Sequence, residues 1–192
     1  MRARSLLLLL ALLPAGCGSS PPTQFYTLTA MPETGRVFGA AGKPLMVGHI
    51  QLPGDLDRDN LVTRSGPNRL NVSDQDRWAG PLDEMIQRVL ATDLAARLPS
   101  GMVLAPGDPA PPRGARTLAV NVRQFMGDAA GQVALDVDWS LLAGNPQHPV
   151  LRRQESLMAD AGSAHPAAIV AAMSRVLGEL SERMAGTVAR TR

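Results

Sequence analysis

Apolar positions recur with two different periods along this chain, and each period marks a kind of element. The first is a period of two. Leu118, Val120 and Val122 alternate with Ala119, Asn121 and Arg123 before Phe125. After a turn at 127–131, Val133, Leu135, Val137, Trp139 and Leu141 share one face and Asp136, Asp138 and Ser140 the other. This alternation predicts an antiparallel hairpin with one buried side. A second turn at 144–149 leads into a weaker strand over 150–158, placed near an edge. Shorter runs predict strands at 25–29, at 45–52 (stopped by Pro53 and Gly54) and at 102–104. Residues 61–63 and 69–72 flank Ser65-Gly66-Pro67-Asn68, whose turn residues predict a hairpin.

The second period is helical. Leu82, Met85, Ile86, Val89, Leu90, Leu94 and Leu98 recur at steps of three and four, with Pro81 ahead of them and Asp83 and Glu84 in the first turn. Proline and acidic residues favour a helix start, and Pro99 and Gly101 end this one. From Pro166 to about Val188, Ile169, Val170, Met173, Val176, Leu177, Leu180 and Met184 form another apolar stripe. The remaining stretches, 31–43 and the Pro-rich 105–114, are predicted loops. Strands, helix, strands, helix is the order of an α/β fold: a mixed β-sheet covered by two amphipathic helices, one domain over 25–192.

The N-terminus has a different composition. Arg2 and Arg4 precede an apolar run over 5–13, then Pro14, Ala15, Gly16 and Cys17, the single cysteine. That is the build of a secretory signal, with an apolar segment too short to span a bilayer. Small residues directly before a lone cysteine resemble the lipobox of bacterial lipoproteins, although Leu13 stands four places ahead of Cys17 where a lipobox has leucine three ahead. The expectation is a signal peptide over 1–16, a lipidated Cys17, and a polar Pro-containing tether over 17–24. Losing 1–16 removes two arginines and leaves 17 basic against 17 acidic residues. A neutral domain has no electrostatic footprint for nucleic acid.

Candidate chemistry is sparse. Asp55-Leu56-Asp57-Arg58-Asp59-Asn60 imitates the start of a calcium loop, but the sixth and twelfth places hold Asn60 and Gly66 instead of glycine and glutamate, and Arg58 puts a positive charge in the middle. A solvated loop is the better reading. His49, His148 and His165 lie far apart, and a zinc site is not expected. Asp136 and Asp138 share a strand face without a histidine or nucleophile beside them, as on the polar side of a half-buried sheet. No phosphate-cradling or nucleophile-elbow motif is present. Arg77-Trp78 has the composition of a binding hot spot, against the alternative that Trp78 closes the core beside Pro81.

Several of these stretches together resemble the PqiC-type auxiliary lipoproteins of ABC-type transport systems. They are the lipobox, Phe25-Tyr26-Thr27-Leu28, Leu52-Pro53 followed by Leu56-Asp57-Arg58, Leu61-Val62, Arg69-Leu70, Arg77-Trp78-Ala79 with Pro81-Leu82, and Arg88-Val89-Leu90. The pattern is most specific between Leu52 and Leu98. It departs from the family at Asp55, where an aromatic residue is expected nearby, and at Asp59, where a proline is. The resemblance implies a fold similar to the N-terminal domain of TolB and a non-catalytic role without cofactor. It implies partnership with an MCE-domain periplasmic protein and its inner-membrane ABC transporter, in lipid transport between membranes. It also implies a homo-oligomeric ring anchored by lipid on the periplasmic face of the outer membrane; Gly18 after the cysteine lacks the aspartate of inner-membrane retention. Leu52, Pro53, Asp57, Arg58, Arg77 and Trp78 are the candidate partner-binding residues. Two other classes stay open: a periplasmic lipid-binding carrier, and a hydrolase using Asp136 or Asp138.

Overall fold

The computed structural model describes residues 21–32, 36–39, 42–104, 107–108, 112–144 and 147–191. The expected signal peptide, Cys17 and the first half of the expected tether (17–20) lie outside the described residues. Eight strands and two helices follow in the order β1 (Gln24–Tyr26), β2 (Leu45–Gln51), β3 (Asn60–Gly66), β4 (Arg69–Trp78), α1 (Leu82–Arg97), β5 (Val103–Leu104), β6 (Arg116–Asp128), β7 (Gln132–Ala143), β8 (His148–Asp160) and α2 (Pro166–Arg190). This is the expected α/β arrangement of one mixed sheet under two helices.

The sheet is organised on β6. Along one edge it pairs antiparallel with β7 from Thr117 to Gly127, and β7 pairs antiparallel with β8. Its other edge is shared by two strands set end to end, both parallel to it: β2 beside Arg116–Asn121 and β3 beside Gly127 and Asp128. The sheet therefore forks. One branch continues from β2 to β5, the other from β3 to β4 and β1.

Both helices lie on one face, where the alternating residues of β6 and β7 point. Leu118, Phe125, Val133, Val137, Leu141, Leu90, Leu94 and Met184 are all completely buried. The opposite face of β7 carries Asp136 and Asp138, each held by a neighbour. Ser156 donates to Asp136 at 2.5 Å, and Arg123 pairs with Asp138 at 3.2 Å. That is the polar side of a half-buried sheet, as the alternation predicts.

The stretch after β1, read as an unanchored loop from sequence, is fastened to the helices. Ser174 accepts from the Thr29 amide at 3.1 Å. Asp93 accepts from the Met31 amide at 2.7 Å, and Arg97 donates to the Met31 carbonyl at 2.9 Å. The Phe38 amide reaches the Arg97 carbonyl at 2.8 Å. Asp93 and Arg97, one helical turn apart, are both buried and pair at 3.4 Å. Burial raises the Asp93 carboxyl above its ordinary value; the Met31 amide and the charge of Arg97 pull the other way. Close approach is possible because α2 presents glycine. A Cβ on Gly178 would stand 3.1 Å from the Met31 side chain, and one on Gly186 would stand 3.0 Å from the Phe38 ring. The sequence hides these anchors because they belong to helices more than fifty residues away.

Candidate docking site

The excursion between β2 and β3 brings the candidate residues together. It leaves the β6 edge at Leu52 and turns at Pro53, whose carbonyl accepts the amides of Leu56 at 2.9 Å and Asp57 at 3.2 Å. Leu56 plugs the core at 3% exposure, which fixes the turn and leaves Asp57, Arg58 and Asp59 in solvent. Arg58 reaches back to the Gly54 carbonyl at 3.4 Å. The chain then rejoins the sheet: the Asp59 carbonyl accepts the Trp78 amide at 2.7 Å, and Asn60 stands opposite Arg77 in the ladder. Loop 52–60 and the Arg77-Trp78 pair thus form one surface at one end of the sheet.

Within that surface the roles differ. Asp57, Arg58 and Arg77 are exposed, while Leu52 and Pro53 are half-buried. Trp78 is 5% exposed and packs in the core, so its indole supports the site from beneath and Arg77 carries the accessible half of the pair. The calcium-like run is a turn with a buried leucine at its second place. Among the described residues no group of three or more His, Cys, Asp and Glu side chains is placed to hold a metal.

Neighbours that the sequence did not assign to this site complete it. A bulge in β2 falls between Val47 and Ile50. It turns His49 outward to within 3.5 Å of Asp83 in the first turn of α1. Gln87 caps the bulge by donating to the carbonyls of Val47 at 2.9 Å and Gly48 at 3.1 Å. A hollow of about 470 Å³ lined by His49, Leu52, Asp57, Asp83 and Asn121 results. It shares His49 and Asp83 with a groove of about 790 Å³ that runs beside α1 past Gln87, Ala91, Ala95 and Val103.

On the other flank, β4 carries a bulge at 73–76. Ser73 accepts from the Asp76 amide at 2.9 Å and donates to its carboxylate at 2.7 Å; Tyr26 donates to the same carboxylate at 3.0 Å. Burial first, then the hydrogen bond and charge of Asp76, raise the Tyr26 phenol above its ordinary value. The run Ser73-Asp74-Gln75-Asp76, polar throughout, is the sequence signal of that bulge.

Comparison with known proteins then bears on the reading. Residues 26–185 match the family described as the ABC-type transport auxiliary lipoprotein component, which includes the whole of the site. The chain belongs to that family. Two curated relatives, each named intermembrane transport lipoprotein PqiC, come from Escherichia coli strain K12 and Shigella flexneri; each is 28% identical over 147 residues, 74% of this chain and 74% of theirs. Among solved structures, a protein from Xanthomonas campestris aligns with a TM-score of 0.69 at 21% identity, over 88% of this chain and 96% of that one. A second, uncharacterised protein aligns with a TM-score of 0.68 at 21% identity, over 88% and 98%. These two establish the fold. As a member of the ABC-transport auxiliary family the protein is a lipoprotein in a transport-auxiliary role, one component of a larger transport system, and the family is not an enzyme class. Among the described residues no helix is long and apolar enough to cross a membrane.

Proposed function

We propose that this protein is a non-catalytic outer-membrane lipoprotein that docks the periplasm-spanning MCE-domain protein of an ABC-linked lipid transport system. In this reading the 1–16 leader is removed and Cys17 is acylated. The 17–24 tether then holds the domain on the periplasmic face, where copies assemble as a ring. The mechanism is positional: the anchor sets the distance to the membrane, and loop 52–60 with Arg77 meets the partner.

The observation that carries the reading is the held excursion itself. A turn closed on the Pro53 carbonyl and plugged by Leu56 presents Asp57 and Arg58 in one fixed geometry. Such preorganisation lowers the entropic cost of association. Supporting it, β1 opens at Gln24, where the tether ends, and pairs with Asp76–Trp78, so the anchor enters the domain beside the site.

The test is co-purification of the full-length lipoprotein from membranes, wild type against Cys17→Ala, with mass spectrometry of what accompanies it. Recovery of an MCE-domain protein with an oligomeric wild type is expected, and its loss from the variant would show that the anchor is required. A protein that arrives alone, monomeric and carrying bound lipid would replace docking with the carrier reading.

A further inference from the structure

Strand β8 is bonded to β7 from Asp160 back to His148, with a bulge that leaves Val150 out of that ladder, and among the described residues no other strand takes its far edge. An edge of 13 residues presents a long row of unpaired backbone donors and acceptors. Its side chains are also arranged symmetrically about Gln154. One step out stand Arg153 and Glu155; three steps out, Leu151 and Leu157; four, Val150 and Met158. Two copies laid antiparallel with Gln154 opposite Gln154 set each of these against its counterpart, twice over.

We propose that β8 pairs with β8 of a second copy across a two-fold axis, making one continuous sheet through both protomers. Each layer of the contact is complementary. Val150 and Met158, 45% and 67% exposed, are two of the five large apolar side chains that stand in solvent among the described residues. Pairing covers both with each other. On the helix side, Leu157 is buried and Leu151 half-buried, so their pairing extends the core across the axis.

Charge matches as well. Arg153 has no carboxylate partner among the described residues and reaches only the Arg152 carbonyl at 3.0 Å. The second copy supplies Glu155, which takes Arg183 through one oxygen at 3.1 Å. Charges on an edge normally repel arbitrary strands. Here they reject other strands while fitting a copy of their own, which is how specificity is set. Pro149, five steps out, lacks an N–H and ends the ladder on each side.

This contact goes beyond the docking role. A two-fold contact uses one patch twice and closes on two copies, whereas a ring needs two different patches. The β8 surface is therefore separate from ring closure.

The experiment is sedimentation velocity of the full-length chain in detergent micelles over a concentration series, with Val150→Lys, Met158→Glu and the double variant. Both positions are solvent-exposed, so melting temperature serves as the control for folding. The wild type is expected to associate through this two-fold contact, as dimers or as paired rings, and each single change is expected to weaken that step roughly tenfold, since two cross-strand contacts are lost per two-fold pair. The double variant sets lysine against glutamate twice and is expected to recover most of the loss. Gln154→Cys in a Cys17→Ala background is expected to cross-link to itself under mild oxidant. A wild type monomeric throughout, single variants without effect, or a double variant no better than the singles overturns the contact. A larger assembly that all three variants leave intact overturns it too, while leaving the ring standing.

Discussion

Two arginines illustrate how burial and partnership separate in this domain. Arg97 is 2% exposed and sits among the Asp93 carboxylate, the Asp93 carbonyl and the Met31 carbonyl. Arg116 is 4% exposed and donates to the Thr191 carbonyl at 2.8 Å, but among the described residues its Nε and second terminal nitrogen have no hydrogen-bond partner, and burial alone lowers its pKa. Removing one half of a buried pair strands the other charge, whereas removing a poorly partnered charge relieves desolvation. Arg97→Met is therefore expected to cost about 3–5 kcal/mol in urea unfolding, because it leaves Asp93 buried alone. Arg116→Met is expected to lie within about 1 kcal/mol of wild type or to be more stable. Neither residue differs from a surface arginine in the sequence; only the contacts separate them.

Elements were legible where one period ran unbroken. The β6–β7 hairpin and both helices stand where alternation and three–four spacing place them, within a few residues at their ends. The departures fall where a bulge interrupts the period. The arm expected over 69–72 runs on to Trp78 because the polar bulge at 73–76 re-enters the ladder. Strand β2 was readable, but its bulge was not, since Gly48 and His49 look like ordinary strand residues. Gln87 braces that bulge, donating to the carbonyls of Val47 and Gly48. Gln87→Ala is expected to lose about 1–2 kcal/mol of stability, read by urea unfolding. The same variant should loosen the His49–Asp83 wall of the hollow beside loop 52–60.

At the scale of the whole molecule, half of the candidate site was legible and half was not. The motif residues Leu52, Pro53, Asp57, Arg58 and Arg77 were visible as sequence, and the fold gathers them at one end of the sheet. His49, Asp83 and Asn121 join them only because β2 and β3 lie end to end on β6, a topology that no local pattern encodes. Since Asp57, Arg58 and Arg77 are exposed and bear no core packing, reversing charge there should separate binding from folding. Asp57→Arg with Arg58→Glu is expected to leave the melting temperature within a few degrees of wild type. The pair is also expected to reduce recovery of the partner protein in the co-purification at least several-fold. A full yield of partner from that variant would move the docking surface elsewhere.

The segment that carries Thr29 has a further consequence in time. Its anchors on α2 lie near the far end of the chain: Thr29 finds Ser174 across 145 residues. A chain made from its N-terminus must therefore leave Thr29 without this partner until the last helix has emerged and packed. Contacts of such long separation form late and slowly. The step that finishes the domain is thus also the step that fastens the stretch after β1 to α2.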